Sequence, residues 1–183
     1  YRVQASIPVV AYQHSPSGAQ ATNDASMLLP EHALKQDYVV ASYVDSLGGY
    51  PSYFNVVAIA DNTTVKWTPP QSTISGPGVP DVAAGQTGQV VMNRFDSMEV
   101  RVNAGGDISG TIISADQPIW VVGAVNCVNV PAGVTFCDHI EEQMLPIDYW
   151  GKTYVAAHAP KRGAEKYHWR VFGGQDGVKI TPT

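Results

Sequence analysis

The sequence lacks what several protein classes require. No apolar run approaches the roughly 20 residues that carry a helix across a bilayer, so no membrane-spanning helix is expected. Basic residues number 11 against 16 acidic ones, stand singly except at Lys161-Arg162, and leave a net charge of -5. Phosphate binding needs a basic face that displaces counterions, so nucleic acid is not the expected partner. Cysteine is confined to Cys127 and Cys137, and their spacing is not that of a zinc finger. The motifs HExxH, GxGxxG, GxSxG and the P-loop are absent, which argues against an enzyme.

What is present is strand-and-turn punctuation. The 183 residues are 44% hydrophobic, enough for a substantial core, and 17 Gly and 13 Pro cluster between short runs of Val, Ile, Tyr and Thr. The fold class is therefore all-β. Strands are expected at 8–12, 38–43, 53–60, 64–68, 89–92 and 98–102, with 107–113 leading into the next stretch. Helix is confined to single turns near 31–35 and 148–151. Asp61-Asn62-Thr63 and Gln175-Asp176-Gly177 read as hairpin turns. Pro8 and Pro118 are expected at the first residue of their strands, where a missing N–H is tolerated.

Three blocks of sequence recur in order. Ala5-Ser6-Ile7-Pro8-Val9-Val10 returns as Ala115-Asp116-Gln117-Pro118-Ile119-Trp120, from position 8 to 118, an offset of 110. Leu28-Leu29-Pro30 and Tyr38-Val39-Val40-Ala41 return as Met144-Leu145-Pro146 and Tyr154-Val155-Ala156-Ala157, an offset of 116. Val65-Lys66-Trp67-Thr68-Pro69 returns as Val178-Lys179-Ile180-Thr181-Pro182, an offset of 113. These blocks predict two related sandwich-like or propeller-like β units, with a first, incomplete unit at 1–69, a Pro/Gly-rich connection at 70–88 and a second unit at 89–183. The second carries an elaboration, the cysteine loop 127–137. Because Tyr1-Arg2-Val3-Gln4 matches only Thr111-Ile112-Ile113-Ser114, the sequence is expected to be part of a longer polypeptide, with an edge strand near Tyr1 to Ala5 open to pairing or self-association.

The densest polar cluster is Asp138-His139-Ile140-Glu141-Glu142-Gln143. In an extended segment Asp138 and Glu142 share one face, and His139, Glu141 and Gln143 the other. Imidazole and carboxylates at this spacing suit either a metal ion or hydrogen bonds that tie the loop to neighbouring backbone. A metal-dependent or hydrolytic enzyme centred on Asp138, His139 and Glu142 is the alternative to a binding role. Pro131-Ala132-Gly133 can turn the chain so that Cys127 meets Cys137, and two unrelated buried thiols are the other reading. Asp61, Asn62 and Asp107 suit turn formation better than calcium, for want of a D-x-D-x-D-G series; no other cofactor is expected. Asn62-Thr63-Thr64 is a glycosylation sequon. Of the four tryptophans, Trp67, Trp120 and Trp169 are expected in the core, and Trp150, beside Gly151, exposed as a contact residue.

The segment 54–65, the stretch Asp107-Ile108-Ser109-Gly110-Thr111, and above all Cys127 through Gln143 with Trp150-Gly151 resemble the IgGFc-binding protein N-terminal domain family. The family occurs in an animal mucus protein and in bacterial secreted proteins, and this acidic, cysteine-poor chain is more similar to the bacterial members. The resemblance implies secretion to the exterior or cell surface, a disulfide between the two cysteines, and a non-catalytic role in adhesion or recognition of a protein or glycan at a cell or matrix surface. The rest of its own longer chain is a further expected partner.

Overall fold

A strand of 17 residues, Ile112–Val128, organises the architecture. The computed structural model describes residues 2–16, 22–158, 160, 163–164 and 166–181; Tyr1, Lys161-Arg162 and Pro182, which figure in the sequence reading, lie outside them. Strands β1 (Ala11–Pro16) and β2 (Asn23–Leu28) form a two-stranded ribbon. An eight-stranded antiparallel sheet comprises β3 (Lys35–Val39), β4 (Ser52–Ala58), β5 (Thr63–Thr68), β6 (Thr73–Ser75), β7 (Gly88–Met92), β8 (Ser97–Val102), β9 (Ile112–Val128) and β10 (Asp138–Gln143). Single 3-10 turns at Glu31–Ala33 and Ile147–Tyr149 fall where helix was expected. The all-β reading holds.

Every partner of β9 uses only part of it. On one flank β4 pairs with residues 119–125 and β5 with 112–115; on the other, β10 pairs with 122–128 and β3 with 112–119. Strands β8 and β7 then extend β4 and β5, and β6 lies beyond β8. Asp116, Gln117 and Pro118 have no register partner on either flank. The sheet curls into a half-barrel. Pro118 therefore sits inside a strand rather than at its start, and is accommodated because no ladder bond is demanded of it there. Pro8 precedes β1 and is outside any strand.

The Asp61-Asn62 turn also differs from expectation. Strands β4 and β5 both run antiparallel to β9 and follow one another along the same flank, so they do not form a hairpin. Between the pairs Ala58–Ile119 and Val65–Ala115 the β4–β5 side has six residues against three on β9, and the excess loops out as a bulge. Asn62 takes the left-handed conformation there, φ 55°. The neighbouring break between β7 and β8 locks onto it: Arg94 N–H donates to Asp61 Oδ1 at 3.0 Å, and Phe95 N–H to Ala58 O at 2.8 Å.

Alternation places one core inside the curl. Phe54, Val56 and Ala58 from β4, Val65 and Trp67 from β5, Val100 from β8 and Ile113, Ile119 and Val121 from β9 are all fully buried. Apart from the Ala58 methyl, each such side chain contributes about 1.5–3 kcal/mol on leaving water. Two glycines permit close approach: a Cβ at Gly88 would meet the Trp67 ring at 2.6 Å, and one at Gly123 would run into the Ala41 carbonyl oxygen. The buried Tyr38 hydroxyl donates to Ile119 O at 2.7 Å and accepts from Lys35 N–H at 3.0 Å, fixing β3 on the spine. Burial pushes that hydroxyl up to about 12.

The repeat is not reproduced as two folded units with the expected boundaries. Segments 1–69 and 89–183 both feed strands into one sheet and one core, and 70–88 contributes β6 and the buried Val82. Tyr38 is buried in β3, whereas its counterpart Tyr154 is exposed outside any strand, and the described residues from 152 to 181 contain no strand. A turn does form at Asp176-Gly177, without flanking strands. Trp169 is 58% exposed and Trp150 half-buried, reversing the expected order. Alternation around Trp169 reads equally well with either face outward, and an apolar run alone does not say which face is covered.

Candidate functional site

The polar cluster 138–143 becomes β10, at one margin of the sheet, and burial alternates along it as expected: His139, Glu141 and Gln143 are buried while Asp138 and Glu142 are exposed. The outer edge of β10 would present unpaired backbone N–H groups. Side chains of β2 take them up. Asp24 Oδ2 accepts Glu141 N–H at 2.8 Å, and Ser26 Oγ accepts Gln143 N–H at 2.7 Å while donating to Glu142 Oε1 at 3.0 Å. In return Asp138 Oδ1 accepts Asn23 N–H at 3.1 Å and Gln143 Oε1 accepts Leu29 N–H at 2.7 Å. Side chains thus replace a backbone ladder between two edge strands, which covers both edges.

His139 Nε2 lies 3.4 Å from Glu141 Oε2. On the same buried face, His139 Nδ1, Glu141 Oε1 and Gln143 Nε2 have no hydrogen-bond partner among the described residues. Burial, with the nearby Glu99 and Glu141 carboxylates, pushes the Tyr53 hydroxyl up to about 12. Glu142, exposed as a residue but with its carboxyl partly covered where it meets Ser26, is also raised, first by that partial burial and then by the Asp24 and Glu141 charges, against the lowering effect of the Ser26 hydrogen bond. Among the described residues no three His, Cys, Asp or Glu side chains gather as a metal would require. Asp138, His139 and Glu142, the centre of the enzyme alternative, do not converge: Asp138 and Glu142 hold the ribbon, and His139 is buried against Glu141.

Cys127 and Cys137 form a disulfide with a Cα–Cα distance of 5.2 Å, closing the loop between β9 and β10. The loop's tip is apolar and outward: Val134 is 53% and Phe136 94% exposed. Beside it runs the loop 45–50, joined through the Asn129 N–H, which donates to Ser46 Oγ at 3.2 Å. That second loop is built on buried Asp45, whose carboxylate accepts the N–H groups of Leu47, Gly48, Tyr50 and Gly105. Burial alone would raise this carboxyl, but the four donors outweigh it and hold it below the ordinary carboxylate value. Leu47 and Tyr50 are exposed on the loop.

Two rigidly held loops thus share one end of the sheet and display Leu47, Tyr50, Val134 and Phe136 to solvent. Sequence reading missed all four. The available signal was Val134-Thr135-Phe136 inside a short closed loop, where apolar side chains have no room to form a core. Asp24 and Ser26 carried no signal, since their roles arise only when β2 meets β10, about 115 residues away in sequence.

A family model described as IgGFc binding protein matches residues 24–183. The chain belongs to the IgGFc-binding protein family. Within curated proteins it is 29% identical over 150 residues to the human IgGFc-binding protein, an alignment covering 81% of this chain and 3% of that relative. The chain therefore spans a small part of the relative's length. No solved structure matches it. The family match includes the β2 clamp, β10, the disulfide loop and the Asp45 loop.

Proposed function

We propose that the chain is a non-catalytic extracellular recognition module that binds a protein or glycan at a surface, through the loop end formed by 45–50 and 127–137. The observation that carries this reading is the pair of pre-ordered loops, one stapled by Cys127–Cys137 and one wrapped on Asp45, that hold exposed apolar and aromatic side chains on a rigid sheet. Binding residues carried on loops of a rigid scaffold lose little entropy on contact, and aromatic anchors dominate interface energetics. Membership of the IgGFc-binding protein family supports a protein partner, with immunoglobulin G Fc the first to test. The disulfide suits an oxidising, extracellular setting. The polar residues of β10 act in this reading as the clamp for the β1–β2 ribbon.

Surface plasmon resonance with immobilised chain tests it, against Fc fragments and a glycan array. Binding to one of these, weakened at least about tenfold by Phe136→Ser or Tyr50→Ala with unchanged thermal stability, is the expected result. Binding that both variants leave intact refutes the assignment of the loop end. Turnover of a substrate abolished by His139→Ala refutes the non-catalytic reading.

A further inference from the structure

The loop end formed by 45–50 and 127–137 is electrically neutral. From Ser46 to Ala60, and again from Gln117 to Cys137, the chain has no Asp, Glu, Lys, Arg or His, although 15% of its residues are Asp, Glu, Lys or Arg. The opposite end of β4, by contrast, meets Asp61, Arg94 and Asp96. Carboxylates that border the loop end are engaged elsewhere. Asp45 is wrapped by the four N–H groups of its own loop and Gly105, and Asp138 accepts the Asn23 N–H of the ribbon. Asp107 faces the Arg170 guanidinium at 3.4 Å, and that guanidinium also donates to Ser42 O.

Uncharged polar groups turn inward as well. Ser46 Oγ accepts the Asn129 N–H, the Ser42 and Ser52 hydroxyls meet at 2.7 Å, and Asn129 is itself buried. Among the exposed residues of the two loops only Tyr50 and Thr135 carry a polar side-chain atom. The remaining large exposed side chains there are Leu47, Val130, Val134 and Phe136, all apolar.

A surface of this kind selects its partner by what it cannot offer. Sugars carry hydroxyls around the ring, and each one buried without a bond loses its hydration without return, so a glycan site needs converging polar side chains. The loop end has two hydroxyls. Membrane surfaces draw protein segments in through Lys and Arg beside anionic headgroups, and neither residue occurs in 36–65 or 102–138. The centre of a protein interface, by contrast, is depleted in charge and enriched in aromatic anchors. Resting on the loop-end reading above, we infer that the partner is a protein presenting an uncharged apolar patch, and that Phe136 is the anchor this patch receives. Phe136 is 94% exposed and adjoins the Cys127–Cys137 staple, so it has little backbone freedom to lose on contact. Charge on either partner then leaves the affinity unchanged.

Surface plasmon resonance with the intact chain immobilised tests this through salt and through one added charge. The probes are the Fc fragment, a glycan array, and phosphatidylcholine vesicles with and without phosphatidylserine. Expected is Phe136-dependent binding to Fc whose Kd changes no more than about twofold between 0.1 and 1 M NaCl, a range over which the screening length falls from about 10 to about 3 Å. Thr135→Lys places a charge beside the anchor at an exposed position. It should weaken Fc binding at least about tenfold at both salt concentrations, with thermal stability unchanged. Phe136-dependent Fc binding that weakens about tenfold with salt, or that Thr135→Lys strengthens, overturns the inference and leaves the loop-end assignment standing. Phe136-dependent binding to glycans or vesicles in place of Fc does the same. Fc binding that Phe136→Ser and Tyr50→Ala both leave intact, or no binding to any of the probes, overturns both.

Discussion

Replacing Ser26 with Ala should undock the β1–β2 ribbon while leaving the half-barrel folded. Ser26 is 2% exposed, and its hydroxyl both accepts Gln143 N–H at 2.7 Å and donates to Glu142 Oε1 at 3.0 Å. Alanine leaves a buried N–H without an acceptor, a loss of about 1–3 kcal/mol. The ribbon makes no ladder with the main sheet, so this loss falls on its docking equilibrium rather than on global unfolding. At about 1.4 kcal/mol per factor of ten, the amides of Glu141 and Gln143 should exchange roughly 5- to 150-fold faster. Core amides such as Val56 and Val121 should keep their rates. Native-state hydrogen exchange with peptide-level mass spectrometry reads both. Equal acceleration of core and clamp amides would show that the ribbon is integral to one cooperative unit, and no acceleration would show that the clamp contributes nothing; either refutes the reasoning.

Replacing Cys127 and Cys137 with Ser should cost about 2–3 kcal/mol, from reopening a loop with a sequence separation of 10, measured as the fall in unfolding free energy in urea. Gly123→Ala should cost at least about 1–3 kcal/mol, because the new Cβ meets the Ala41 backbone carbonyl, which cannot rotate away; the urea midpoint should fall further than for Gly88→Ala, whose obstacles are side chains. Ribbon docking should tighten in mild acid. The folded-state value of Glu142 is raised, so its contribution is full below the ordinary carboxylate value and is lost as pH rises through the raised one. Exchange at Glu141 and Gln143 should accordingly quicken from acid to neutral pH after correction for intrinsic rates, and Glu142→Gln should flatten that dependence.

The strands with clean alternation were legible in the sequence: β4, β5, β7 and β8 fall within a residue or two of their expected ends, because a half-buried pleat requires period two whatever its partners. The spine was not. Pro118 divides it into two apparent strands, and only the coincident gaps left by β3, β4 and β5 make a proline acceptable inside it. The Asp61-Asn62 turn looks the same locally whether it closes a hairpin or bulges from one flank; the choice depends on β9, roughly 50 residues later. The chemistry of 138–143 was visible as a cluster, yet its use as a clamp depends on Asp24 and Ser26, which no local pattern marks. Thr73 and Ser75 made a strand within a segment read as linker because β8 needed an outer neighbour.

The late position of β9 has a consequence for synthesis. Strands β3, β4 and β5 pair chiefly with a spine that lies beyond them in the chain, so their apolar faces have no lasting cover as they leave the ribosome. From Thr68, the end of β5, to Ile112, where β9 begins, the chain advances 112 − 68 = 44 residues. At roughly 5–20 residues per second that is a wait of about 2–9 s. Nearly all sheet pairing is long-range, which makes closure slow even once the spine arrives. Nascent chains of this protein should therefore expose uncovered apolar strand faces over a defined window, which ends when residues 112–128 have cleared the exit tunnel.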